Sequence, residues 1–384
     1  MNFKLLQLNL AQLTSTWNKS RNNTYSDSFR QDYHNTLEEL FKEIDKEDFS
    51  KLDANQLEER SFIIQFFFDS VTFLDNSTLS NIPFEIVKCL ELALKTWYPK
   101  NDNDFIIVTS LIKNIKGFSF NPILSFYQLY YDIIEKNYGI KFKKKLIQIN
   151  VPEYLVNDYL ASVPLYHELG HFIDKYYNFS VILANDFSTD IHKLISDKDF
   201  VEFFPLLQTV RPNELKSDQV KRYLENQIAE YFCDIFASQY ISDSLTIYLS
   251  FLAHKANSSP THPSTENRQI VIENFLNNEH NFVISKLRET VLNCTKNSLN
   301  LEIRFRKFKN EDFKLLIPQE INSEAELHYL FKYGWDMWQS DWSDLSRSNN
   351  MTENLTSYEV YTIINNLIEK AIGNYIVQNT WNKL

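Results

Sequence analysis

Leu and Phe recur among charged residues at helical spacing over residues 1–118, which predicts a helical N-terminal region. Its breaks fall at Asn76 and Ser77, at Pro83, at Pro99 and in the NDND run at 101–104, where turn formers interrupt the period. KGFSFNP at 116–122 reads as a turn. ILSFYQLYYDIIEKNYG resumes the helical period and closes at Gly139, a residue suited to a helix C-terminus. In KKKLIQINVP at 143–152, Leu146, Ile147 and Ile149 precede Pro152 and predict a short strand.

Residues 152–178 read as helical with a restart at Pro164, because proline suits a first helical turn better than an interior. A second helix is predicted over 217–241, with Ser217 as N-cap and Asp218 at the positive end. SSPTHPSTENR at 258–268 is a loop opening onto a helix from about 266. LEIRFRKF and DFKLLIP predict a hairpin in which Leu301, Ile303 and Phe305 alternate with charges, and helices around 324–342 and 355–378 follow. Trp335, Trp338 and Trp342 stand at i, i+3 and i+7, the spacing of a packed helix face. The expected class is α+β, predominantly helical, in three segments: a helical region 1–118, a core 119–280 and a mixed region 281–384 containing the hairpin.

Composition narrows the functions. With 39 Lys and Arg against 50 Asp and Glu, the net charge of −11 disfavours nucleic acid and anionic lipid. The basic runs KFKKK at 141–145 and RFRKFK at 304–309 are short and read as solvated strand edges. Cys89, Cys233 and Cys294 are odd in number and form no CxxC pair, which predicts no disulfide framework and fits a reducing, cytoplasmic setting. Gln7, Asn9 and Gln12 interrupt the apolar N-terminus before a signal core forms, and no apolar run is long enough to predict a membrane span.

The chemistry concentrates in HELGH at 167–171, which holds one of only five glycines in 384 residues. Residues four apart share a helix face, so His167 and His171 can take adjacent corners of a Zn2+ ion while Glu168 reaches the reacting water as general base. Zinc lowers the pKa of bound water to about 7, the chemistry of peptide or amide hydrolysis. A catalytic zinc needs a third protein ligand, and Glu230, His192 and Asp190 are candidates. Asp174 and Tyr177 stand where the longer HExxHxxGxxH form needs Gly and His, which disfavours that class. Glu230 and Asp234 lie four apart on one predicted helix face, so a positive group should offset them; Asp234 would orient a ligand histidine through its other ring nitrogen. Gly170 costs about 1 kcal/mol relative to Ala in a helix, which predicts that it faces the stripe of Ala229, Cys233 and Ala237 and lets two helices approach.

HELGH followed by ExxxD resembles the gluzincin metallopeptidases, and THPSTENR resembles the HPxTExR segment of HtpX-like and CAAX-prenyl-protease-like members. The resemblance spans roughly residues 140–275 and implies a zincin-type core with an edge strand and an active-site helix. It implies His167, His171 and Glu230 as zinc ligands, Glu168 as general base and Asp234 behind the ligands. It also implies His262 and Arg268 at the mouth, stabilising an oxyanion or, for the histidine, masking the zinc. The transmembrane helices of that family have no counterpart here. The expected protein is a soluble zinc endopeptidase acting on a protein or peptide laid along KKKLIQINVP, where Lys143 to Lys145 would favour acidic segments. A regulatory partner could dock on the N- or C-terminal region. Two other readings share the motif: a non-catalytic, metal-stabilised interaction protein, and a zinc hydrolase of a non-peptide amide.

Overall fold

Capping side chains open several helices where the sequence provides them: Asn2, Asp27, Ser217 and Ser264 each accept a backbone N–H from the first turn. The computed structural model describes residues 2–25, 27–76, 84–98, 104–113, 117–155 and 157–381. The breaks expected at Ser77, Pro83, Pro99 and 101–103 lie outside them. The chain divides into two compact units, Met1–Val87 with Tyr98–Val156, and Lys88–Trp97 with Asn157–Leu384.

In the first unit, α1 (Phe3–Ser20), α2 (Ser28–Asp45), α3 (Ala54–Asn76) and the start of α4 (Phe84–Trp97) precede the sheet, and α5 (Ile123–Phe126) and α6 (Gln128–Tyr138) lie between its strands in sequence. Leu13, Trp17, Leu37, Phe66 and Phe67 belong to its core. Gly139 ends α6 in the left-handed conformation, as its sequence position predicts. Strands β1 (Phe105–Ile112), β2 (Ser119–Asn121) and β3 (Lys145–Pro152) form a sheet of order β1-β3-β2.

The sheet corrects three expectations. Residues 105–112 of the N-terminal region are a strand, since FIIVTSLI pairs parallel with β3 from Phe105 opposite Lys145 to Ile112 opposite Pro152. The expected turn at 116–122 contains β2, which pairs antiparallel with residues 148–150. Strand β3 is therefore central, not an edge: β1 lines its whole length and β2 part of the other side. The lysines before it are engaged as well. Lys144 lies 4.0 Å from the Phe29 ring centre, and Lys145 donates to Gln128 at 2.6 Å.

The second unit is built around α10 (Asp218–Ile241), buried at every residue from Glu230 to Ile241. A stretch of helix buried on all sides needs neighbours on all sides. They include α7 (Pro164–Tyr177), α8 (Phe179–Leu194), α12 (Thr265–Asn277) and α14 (Glu324–Gln339). Around them run α9 (Lys198–Phe203), α11 (Ser244–Leu252), α13 (Phe282–Cys294), α15 (Trp342–Ser348) and α16 (Ser357–Trp381). Pro164 opens α7 after a short 3-10 turn at Glu153–Leu155, so the helix expected from 152 begins at its proline.

The hairpin at 301–318 does not form among the described residues. Its first arm has no regular structure and gives backbone N–H groups elsewhere, Arg304 to the Gln239 carbonyl at 2.7 Å and Arg306 to the Ala325 carbonyl at 2.9 Å. The second arm contains a 3-10 turn, Asp312–Leu315. Trp335 and Trp338 lie on α14 and Trp342 on α15, all three half-buried, while Leu330, Phe331 and Gly334 form the tighter contact face. In the first unit β1 pairs with β3, and in the second α14 packs with α16. No helix among the described residues is long and apolar enough to cross a membrane, and the three cysteines form no disulfide.

His328 on α14 supplies a pH-dependent term. It sits against Tyr166, with its Nδ1 2.9 Å from the tyrosine hydroxyl, and burial lowers its imidazole to about 3. A folded pKa below the unfolded value of about 6.5 stabilises the fold fully above that value and loses the stabilisation as pH falls toward 3. Wild type should lose about 1.4 kcal/mol per pH unit more than His328→Gln between those limits. Urea denaturation at stepped pH measures this, and parallel curves would refute it.

Candidate metal centre

Helix α7 carries His167 and His171 on one face with ring centres 4.9 Å apart and planes at 87°. Helix α10 brings Glu230 to both. Its Oε2 lies 3.4 Å from His167 Nε2 and its Oε1 lies 3.5 Å from His171 Nε2. Glu230 is 6% exposed, and Oε2 makes no hydrogen bond. Glu168, next to His167, is 8% exposed.

One turn further along α10, Asp234 is fully buried and accepts from His167 Nδ1 at 2.9 Å. That bond fixes the imidazole so that Nε2 faces Glu230. Arg268 on α12 completes the arrangement, donating through Nε to Asp234 Oδ2 at 2.8 Å and through Nη2 to Oδ1 at 2.7 Å. Its Nη2 also lies 3.5 Å from Glu230 Oε2, so one guanidinium offsets both carboxylates of the Glu230–Asp234 pair. Arg268 is 8% exposed and stands behind His167. This differs from the mouth position the resemblance implied. Bidentate pairing to a buried carboxylate holds a guanidinium in place, and its charge is committed there.

His262 occupies the open side. Its ring is 59% exposed, Nδ1 lies 2.9 Å from the Thr261 hydroxyl, and Nε2 lies 3.6 Å from Glu230 Oε1. Its loop is pinned to α10, where Asn226 and Gln227 donate to the carbonyls of Pro260 and Ser259. Ser264 then caps α12. Asp190 and His192 are exposed on α8 and form no part of the cluster.

His167, His171 and Cys233 offer ligand atoms within 4.8 Å of one another, a buried group that could hold a metal ion. The thiol was legible in sequence only as a packing residue. Burial, then the charges of Asp174 and Glu230, push it well up, so it keeps its proton. Burial also works against ionising Glu230, but His167 beside it and the Arg268 charge hold its carboxyl well below the usual range. Of the two, the carboxylate is the one already ionised without a metal, the form a ligand takes. Burial lowers His171 to about 4, the neutral form a metal needs. Burial also acts to lower His167, but Asp234 and Glu230 overcome it and lift the imidazole to about 10, so ion binding there displaces a proton.

Gly170 lies against α10. A Cβ added there would meet Cys233 Cα at 2.9 Å and its Cβ at 3.1 Å, backbone and near-backbone atoms that cannot swing aside. Gly170→Ala should therefore destabilise the protein in urea by up to about 2 kcal/mol, overpacking of up to about 3 kcal/mol outweighing the helix-propensity gain of about 1. Unchanged or greater stability would sink the packing argument. Asp174, one turn beyond His171, is spent locally, accepting from the Ser180 backbone at 2.8 Å and hydroxyl at 2.6 Å. No protein-family model, curated protein or solved structure matches this chain, so the reading of the centre rests on these distances and charges.

Proposed function

We propose that this chain is a zinc-dependent metallopeptidase of gluzincin type, with His167, His171 and Glu230 as ligands. One observation carries the reading: the donor spacing. Zinc bonds imidazole nitrogen and carboxylate oxygen at about 2.0–2.1 Å, which in a tetrahedron sets ligand atoms about 3.3–3.4 Å apart. The two His–Glu separations are of that size, 3.4 Å from His167 to Oε2 and 3.5 Å from His171 to Oε1, each histidine meeting a different oxygen of the carboxylate, of which one would take the tetrahedral corner. Glu230 Oε2 supports the fit, because it makes no hydrogen bond and has only the looser approaches of His167 Nε2 at 3.4 Å and Arg268 Nη2 at 3.5 Å, which leaves lone pairs for a cation.

Zinc held there supplies Lewis acidity and makes water a nucleophile near neutral pH. Glu168 accepts the proton of the attacking water and passes it to the leaving amine. Asp234 keeps the His167 tautomer, and Arg268 keeps Asp234 ionised and oriented. His262, exposed beside Glu230, is the group able to donate to a developing oxyanion or to cover the open position. Arg268 belongs to the support and has no substrate contact.

Purified protein should contain one zinc per chain. Chelation should lower the unfolding free energy by about 2.7 kcal/mol relative to protein with free zinc at a hundred times its dissociation constant. Metal analysis and calorimetry read both. Absence of stoichiometric zinc would remove the proposal, and zinc without cleavage of any peptide in a proteome-derived library would leave a structural centre.

A further inference from the structure

Two side-chain amides precede Glu230 on α10. Asn226 and Gln227 stand four and three positions before it, the spacings that share a helix face. Both donate to one loop: Asn226 Nδ2 lies 3.2 Å from the Pro260 carbonyl, and Gln227 Nε2 lies 3.0 Å from the Ser259 carbonyl. Gln227 is fully buried, so its amide depends on partners from the chain itself.

The loop they hold is a closed turn that ends at His262. The Ser259 N–H donates to the His262 carbonyl at 2.9 Å, and the His262 N–H donates back to the Ser259 hydroxyl at 3.0 Å. The Thr261 N–H meets the same hydroxyl at 3.3 Å. Pro260 and Pro263 fix the backbone at two further positions. After the turn, the Thr265 N–H donates to the Ala256 carbonyl at 3.0 Å and Ser264 caps α12. A turn bonded in this way moves as one piece, so the group that fixes Ser259 also fixes His262. The His262 ring has little else to place it. It is 59% exposed, and its one hydrogen bond among the described residues joins Nδ1 to the Thr261 hydroxyl of the same turn at 2.9 Å. Bonded groups therefore run from Gln227 through Ser259 to His262 and back to α10, where His262 Nε2 lies 3.6 Å from Glu230 Oε1.

We propose that Gln227, with Asn226 beside it, is a positioning residue of the metal centre: it holds the Ser259–His262 turn on α10 and so keeps the His262 imidazole at the open side of the site. The role rests on the zinc-peptidase reading, whereas the bonds that carry it need no metal.

Gln227→Met keeps the side-chain length and removes the donor. Hydrogen exchange of the zinc-free full chain, read by mass spectrometry over residues 258–264, follows the turn directly, since Ser259, Thr261 and His262 carry its bonded N–H groups and the prolines carry none. Exchange there should quicken about fivefold, the effect of one hydrogen bond, while residues 231–241 of α10 exchange as in wild type. Asn226→Ala should act in the same direction and less strongly. In the zinc-loaded protein, Gln227→Met should move kcat for a cleaved peptide about fivefold in the same direction as His262→Ala, with KM within about twofold. Once His262→Ala is present, adding Gln227→Met should change kcat by less than about twofold, whereas an unrelated packing role would give independent, additive effects. The proposal is overturned if exchange of the turn is unaltered in both variants, if His262→Ala leaves kcat unchanged, or if the full Gln227→Met effect persists without His262. Wild type that holds no zinc or cleaves no peptide would instead remove the zinc-peptidase reading, and this role with it, whatever the exchange shows.

Discussion

Glu168→Gln should abolish peptide cleavage while leaving one zinc per chain and the unfolding midpoint nearly unchanged. The glutamine keeps the shape of the side chain but cannot accept the proton of an attacking water, and loss of a positioned general base costs about 10²- to 10⁴-fold in rate. On the proposed assignment the zinc ligands are His167, His171 and Glu230, and Glu168 is not one of them. Its loss should therefore spare the ligand set. Incubating wild type and variant with a proteome-derived peptide library, and counting new termini by mass spectrometry, separates the two activities. Equal cleavage by both would reject the assignment of the base. Loss of zinc along with activity would instead place Glu168 among the ligands.

The largest expected effect on stability belongs to Arg268→Met. Asp234 is fully buried and takes two hydrogen bonds from that guanidinium, and Glu230 lies within 3.5 Å of it. Removing the cation leaves two carboxylates four residues apart in a buried stretch of α10, with His167 as the remaining positive group between them. Breaking a buried pair from one side costs about 3–5 kcal/mol, most of it for the charge left behind. Denaturation followed by circular dichroism should show this loss. Adding Asp234→Asn should recover more than half of it, because the second change removes the stranded charge; simply additive losses would mean the two residues are not coupled.

Between sequence and structure, the site divides by range. HELGH on a helix was readable because an i, i+4 pair is fixed by the helical period alone, and Pro164, Ser217 and Ser264 mark helix starts through local bonds to their own first turns. Glu230 was one of three candidate ligands, since nothing in spacing separates it from Asp190 or His192; the outward face of α8 removes those two from the cluster. The role of Arg268 was less legible. It meets His167 across 101 positions of chain, and only the packing of α12 against α10 decides that it faces inward to Asp234.

The strands show the same limit. FIIVTSLI is a short apolar run that periodicity alone does not assign, and its pairing with β3 made it β1. LEIRFRKF alternates as a strand should, yet the N–H groups of Arg304 and Arg306 go to the carbonyls of Gln239 and Ala325, so the segment forms no strand.

By itself, then, the sequence determined the helical character, several helix starts, the paired histidines with Glu168 beside them, and the need for a small residue at 170, all consequences of bonds and contacts within a few residues or of one side chain's size. Tertiary structure alone decided which carboxylate joins the histidines, that Arg268 supports Asp234 from behind, that Cys233 enters the cluster, and that β3 is a central strand. These depend on which helices and strands become neighbours, and that is set by burial of whole faces summed over the fold, a quantity no local spacing encodes.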